Sequence, residues 1–210
     1  MNKKLRDLLA FFIHRFPRML SRTEIVKLVY LFEYYYFRLY GQSYCQIQFT
    51  RDYYGPNCSV IVQELCSMDK DGIILIREMP NYAGNSFYTH YWRGNIPPEL
   101  EPEVERIALI IINMAGDKSL GDIKKVAYST PPMRKIVEQE NVLGYKLYGE
   151  VIDMTIKEDS VKKIPISRLK VAFKTINRES RGTNEEYNAT IFKEKEGLKV
   201  YRERAERCII

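Results

Sequence analysis

Residues 21–41 read as a helix with almost no polar side, and such a helix has few places to go in a folded chain. Ser21 is a good N-cap and Glu24 completes a capping box with it. Gly41 supplies a C-terminal stop. Wound at about 100° per residue, Ile25, Val29, Phe32, Tyr36 and Leu39 share one face, flanked by Leu28 and Tyr35. Val26, Tyr30, Tyr34 and Phe37 take the other side, and polar residues are confined to Lys27, Glu33 and Arg38. A helix apolar nearly all round is central and buried, or is shared between a core and an interface. It opens a longer aromatic run. Residues 30–54 hold eleven of the 26 aromatics, among them Tyr44, Phe49, Tyr53 and Tyr54, so packing and contact chemistry concentrate there. The run closes on Tyr54-Gly55-Pro56.

The flanking segments predict a mainly α-helical α+β fold. Leu5, Leu8, Leu9, Phe12 and Ile13 recur at helical spacing from Lys3 to Phe16, and Pro17 stops that helix. Ile47 to Thr50 reads as a short extended piece. A third helix is expected over Pro56 to Met68, with Pro56 as its first residue. Ile73 to Met79 and Phe87 to Trp92 read as a β-hairpin with Pro80 to Ser86 as its loop. Further helices are expected over Glu101 to Met114, from a cap at Ser119 to Tyr128, and from Pro131-Pro132 to about Glu140. Val151 to Ile156 reads as a strand closing the compact domain. Two helices follow, one carrying Leu169, Phe173 and Ile176, the other running from Tyr187 to Ile209.

With 210 residues, this describes one domain over 1–156 and a helical extension over 157–210. Residues 1–156 carry 19 Lys+Arg against 18 Asp+Glu, a net of +1; residues 157–210 carry 14 against 9, a net of +5. The basic excess therefore belongs to the extension, where it suits nucleic acid, an acidic protein surface or simply solvent.

The chemistry of catalysis is thinly represented. Cys45, Cys58, Cys66 and Cys208 show no Cys-x-x-Cys spacing, and His14 and His90 are the only histidines, so reduced thiols are expected and no metal site. Asp69/Asp71 fall in an expected loop and Glu99, Glu101, Glu103 and Glu105 at a helix start, where structural roles account for them. Ser21, Ser43 and Ser129 lack a nucleophile elbow. Cys58, near a helix N-terminus, would have its pKa lowered there. No glycine-rich phosphate loop occurs, and no stretch of about 18 apolar residues crosses a membrane. The N-terminal Leu8 to Ile13 run is too short for a signal peptide, so a cytoplasmic protein that is not an enzyme, without a cofactor, is expected.

Tyr54-Gly55-Pro56 follows the Lys27-Leu28-Val29-Tyr30-Leu31-Phe32 segment by about 25 residues and precedes Val60 to Leu65. This arrangement resembles the Panacea domain, also called the SocA-like antitoxin domain, over roughly residues 5 to 140. The position-matched later turn is Ala127-Tyr128-Ser129-Thr130-Pro131-Pro132-Met133, without the His and Trp typical of the family. The resemblance implies a bacterial or phage antitoxin of a type II-like toxin–antitoxin system that neutralises a cognate toxin by direct binding. It also implies delivery of that toxin to a AAA+ protease as one mode of action. It implies no catalytic residues. Tyr and Arg dominate interface hot spots, which makes Tyr30, Tyr34, Arg38, Tyr53 and Tyr54 the expected contact residues. The alternative is a DNA-binding transcriptional regulator acting on operator DNA. In that reading the hairpin is a wing, and Arg77, Arg93, Lys124 and Lys125 meet phosphates. A third reading is proteolytic turnover, with the apolar end Cys208-Ile209-Ile210 as a degradation signal if exposed, against packing of those residues on the last helix.

Overall fold

The Ser21 capping box forms as the residue types demand. Ser21 Oγ accepts from Glu24 N at 3.3 Å, and a Glu24 oxygen accepts from Ser21 N at 2.8 Å. The structure, a computed structural model, describes residues 2–80 and 86–157. The two expected helices after residue 157 and the Cys208-Ile209-Ile210 end lie outside the described residues. Those described form an α+β fold in the order α1 (Lys3–Arg15), β1 (Leu20–Ser21), α2 (Arg22–Tyr40), β2 (Thr50–Asp52), β3 (Gly55–Asn57), α3 (Ser59–Lys70), β4 (Ile74–Pro80), β5 (Ser86–Trp92), α4 (Pro102–Ala115), α5 (Leu120–Ser129) and α6 (Pro131–Leu143).

Local signals account for the helix ends. Asn2 Oδ1 accepts from Leu5 N to start α1, and Phe16 turns extended ahead of Pro17, which ends it. Gly41 closes α2 at φ +71°. Ser119 Oγ accepts from Asp122 N to start α5, and Pro131 opens α6.

α2 sits at the centre. Ile25, Leu28, Val29, Tyr30, Leu31 and Phe32 are fully buried. α1 packs against it with Leu5, Leu8, Leu9 and Phe12, α4 with Ile107, Ala108 and Ile111, and α5 with Ile123 and Ala127. The side of α2 that carries Val26, Tyr30 and Tyr34 is therefore a second core face. The last turn reverses the expectation for the first face: Leu39 is 68% exposed and Tyr36 half-buried, because the helix outruns the layers packed on it.

Two antiparallel sheets complete the domain, β1-β5-β4 and β2-β3. The hairpin register runs from Ile74 opposite Trp92 to Pro80 opposite Ser86. The strand expected at Ile47 to Thr50 starts later, at Thr50. Of the strand expected over Val151 to Ile156, Val151 alone bridges, to Thr50. Pro56 belongs to β3, and α3 begins three residues after it, at Ser59. The expectation of Pro56 at a helix start fails because its carbonyl is taken by a lysine ammonium and Gly55 holds φ +95°.

Glu33 closes the loop after α2. Its carboxylate is 2% exposed and accepts from Ser43 Oγ at 2.7 Å, Tyr44 N at 3.0 Å and Cys45 N at 2.7 Å. Glu33→Ala strands two buried amides and should lower the unfolding free energy by about 2–4 kcal/mol in urea denaturation, against about 0.5 kcal/mol or less for the exposed Glu138→Ala.

Candidate functional site

The β2–β3 hairpin is built around Asp52. One Asp52 oxygen accepts from Tyr53 N and the other from Asn57 Nδ2, both at 2.7 Å. Arg51 pairs with Pro56 and Asp52 with Gly55, so Tyr53 and Tyr54 form the loop. Gly55 is required twice over. Its φ of +95° disfavours a side chain, and a Cβ there would stand 2.8 Å from Tyr128 Cε2. The Pro56 carbonyl accepts from Lys27 Nζ at 2.6 Å, which fastens the hairpin to α2.

Arg51 fastens it on the other side. The Arg51 side chain is 4% exposed, that of Glu140 on α6 is 1% exposed, and Arg51 Nε stands 2.8 Å from Glu140 Oε1. Arg51 Nη1 donates to Tyr128 Oη at 3.0 Å and to the Asp52 carbonyl. The guanidinium lies over the rings of Tyr128 and Tyr148. Burial works to raise the Glu140 carboxyl, but hydrogen bonds from Arg51, Lys146 Nζ and Leu147 N outweigh it and hold it at about 2.

With its base fixed, the loop presents aromatics to solvent. Tyr53 is 68% exposed, Tyr54 56% and Tyr148 55%. The Tyr53 ring meets Tyr54 edge-on at 4.9 Å and stacks on Tyr148 at 6.3 Å. Lys124 Nζ lies 4.8 Å over Tyr54. Beside the loop a cavity of about 390 Å³ opens between α2, the hairpin and α3.

The five expected contact residues therefore separate. Tyr53 and Tyr54 stand together at the surface. Tyr30 is fully buried, its hydroxyl 2.6 Å from Thr130 Oγ1, and Tyr34 is 9% exposed with its ring against Tyr35. Both belong to the core face under α4 and α5, so neither is a contact residue. Arg38 is exposed near the far end of α2. Cys58 also departs from expectation: burial raises its thiol, outweighing hydrogen bonds from the amides of Ile61 and Val60. Among the described residues no three His, Cys, Asp or Glu side chains converge as metal ligands.

Tyr148, Arg51, Glu140 and Tyr128 went unsingled as site residues. Arg51 carried the one available signal, an arginine three residues before Tyr54 inside an aromatic run. Its partner Glu140 lies 89 positions away, and no spacing announces it. No family model matches this chain, no curated protein does, and no solved structure does.

Three measurements check this geometry. Gly55→Ala should cost about 2–4 kcal/mol, combining positive-φ strain with overlap on Tyr128. Glu140→Gln leaves the Arg51 charge buried and should cost about 3 kcal/mol or more near neutrality. The folded Glu140 carboxyl is depressed from 4.5 to about 2, so its contribution is complete above pH 4.5 and is lost as pH falls toward 2. The acid limb of the Glu140→Gln stability profile should accordingly be shallower than that of the parent.

Proposed function

We propose that this chain is an antitoxin that neutralises a cognate toxin in the cytoplasm by direct contact, with Tyr53 and Tyr54 at the centre of the contact and Tyr148 beside them. One observation carries the reading: an exposed aromatic trio held on a hairpin whose base is anchored by buried charge. Aromatic anchors with few rotatable bonds are the residues that dominate binding energy. At one half to two thirds exposure, three tyrosines offer roughly 300–400 Å², close to half of the roughly 800 Å² each partner contributes to a standard interface. The resemblance in Lys27 to Phe32 and Tyr54-Gly55-Pro56 supports an antitoxin over other contact proteins.

The element order supports a second reading. α1-β1-α2-α3-β4-β5, with β1 added to β5, is the order of a winged-helix unit with β2–β3 inserted. In such a unit α3 would read DNA. Its exposed positions are Ser59, Val60, Gln63, Cys66 and Lys70, a single cation. Counterion release needs several cations, and a loss of about a thousandfold in affinity from 50 to 200 mM salt corresponds to about six neutralised phosphates. That count weighs against α3 as the reading helix; the exposed Arg77, Arg93 and Lys125 lie outside it.

Co-expression with the toxic product of an adjacent gene should restore growth and allow co-purification. Tyr53→Ala with Tyr54→Ala should weaken the complex by about 2 kcal/mol or more, roughly thirtyfold in Kd. Its thermal midpoint should stay near that of the parent. Undiminished neutralisation by the double variant would sink the assignment of this surface.

A further inference from the structure

The cavity beside the hairpin has a polar interior that the tyrosine surface does not use. At about 390 Å³ it falls in the size range of small-ligand pockets. Two cations from α2 line it, Lys27 and Arg22. Arg22 is exposed, whereas Lys27 is 2% exposed and is the inner of the two. Among the described residues the Lys27 ammonium meets one acceptor, the Pro56 carbonyl at 2.6 Å. An ammonium carries three donors, so two are left without a protein acceptor in a place where unmet donors are costly. Among the described residues the one carboxylate lining the cavity, Asp52, already accepts from Tyr53 N and Asn57 Nδ2. Val26, Val62 and Tyr54 give the cavity apolar wall.

We infer that this cavity receives an organic carboxylate, whose oxygens take the unmet Lys27 hydrogens and the Arg22 guanidinium while its carbon chain lies against Val26 and Val62. A monoanion fits the charge count better than a phosphate. One inner ammonium lines it, the exposed Arg22 guanidinium stands at its rim over the Tyr88 ring, and Asp52 on the wall repels a second negative charge. The cavity shares Tyr54 with the tyrosine surface, but the inference rests on Lys27 and holds whether the carboxylate comes from a small acid or from a Glu side chain of a polypeptide.

The site is coupled to pH. Arg51 and Asp52 on β2 and Lys124 on α5 act on Lys27, Arg22 on α2 lines the same cavity, and α3 lines it with the neutral Ser59, Val62 and Gln63. Burial and then Lys124 lower the Lys27 ammonium to about 7, with Arg51 adding to them and Asp52 opposing. A bound carboxylate favours the protonated amine, so it should raise that value. For an amine titrating at about 7, the protonated fraction falls about tenfold from pH 6 to pH 8, and the affinity with it.

The test uses the full chain labelled with ¹³C at lysine Cε and observed by NMR. Propionate and an acetylated, amidated Gly-Glu-Gly peptide are titrated separately, with propionamide as the neutral control. Both carboxylates should shift the Lys27 signal and raise its titration midpoint, about tenfold more weakly at pH 8 than at pH 6, and propionamide should do neither. Tighter binding of the peptide assigns the site to a polypeptide carboxylate, and equal or tighter binding of propionate assigns it to a small acid; either supports the inference. Lys27→Met should abolish binding, which is read in that variant from the line width of the propionate methyl signal because the Lys27 signal is gone. Should that variant fail to fold, Arg22→Gln, altered at an exposed position, should weaken binding several-fold. No Lys27 response to either carboxylate at tens of millimolar, or an equal response to propionamide, would overturn it.

Discussion

Everything in this fold hangs on α2 being buried on nearly every side while still carrying polar groups. Glu24, Lys27, Tyr30 and Glu33 recur every third residue and all are at most 5% exposed. Buried polar groups need partners, and each of these finds one in a different part of the chain. Glu24 holds Ser21 and Arg18, Lys27 the Pro56 carbonyl, Tyr30 the Thr130 hydroxyl, and Glu33 the amides of Tyr44 and Cys45. Three residues fall short of a full turn by about 60°, so the stripe winds about halfway round the helix from Glu24 to Glu33. That winding lets one helix bind four segments that approach from different directions. Apolar packing makes α2 central; the polar stripe specifies what surrounds it.

The three segments that carry the family resemblance meet physically through that stripe. Lys27 and Tyr30 lie one turn apart and hold, respectively, the carbonyl of Pro56 and the hydroxyl of Thr130. Gly55 is pressed against Tyr128, two residues before Thr130. A motif scattered over about a hundred positions is thus one contiguous joint between α2, the hairpin and the start of α6. The Arg51–Glu140 pair closes the same joint from the far side, and its value lies less in net stability than in fixing how the hairpin sits.

The joint also separates two uses of aromatic residues. Tyr30, Phe32 and Phe49 fill the interior, whereas Tyr53, Tyr54 and Tyr148 stand outside on a base that cannot easily move. A rigid mount lowers the entropy lost on binding, and the outer tyrosines, unlike the larger inner cluster, are exposed. The cavity behind them adds a second kind of recognition, by charge in place of ring area.

Much of the fold was legible before the structure. The capping box at Ser21, the glycine stop at Gly41, the proline stop at Pro17 and the Ile73 to Trp92 hairpin are written in local residue chemistry, and each stands within a residue or two of expectation. The site was legible only in part. The sequence groups Tyr30 and Tyr34 with Tyr53 and Tyr54, of which only the last two are exposed, because helical geometry tells which residues share a face and is silent on what covers it. Pro56 was assigned to a helix start because Gly-Pro has that local meaning, and the Lys27 ammonium that claims its carbonyl lies 29 positions away. By itself the sequence limited α2 to a buried place or one shared between core and interface, since an all-round apolar helix has no stable place in water. Only the tertiary structure decided which elements bury it, and therefore which tyrosines are core and which stay at the surface, because burial comes from contacts between residues far apart in the chain.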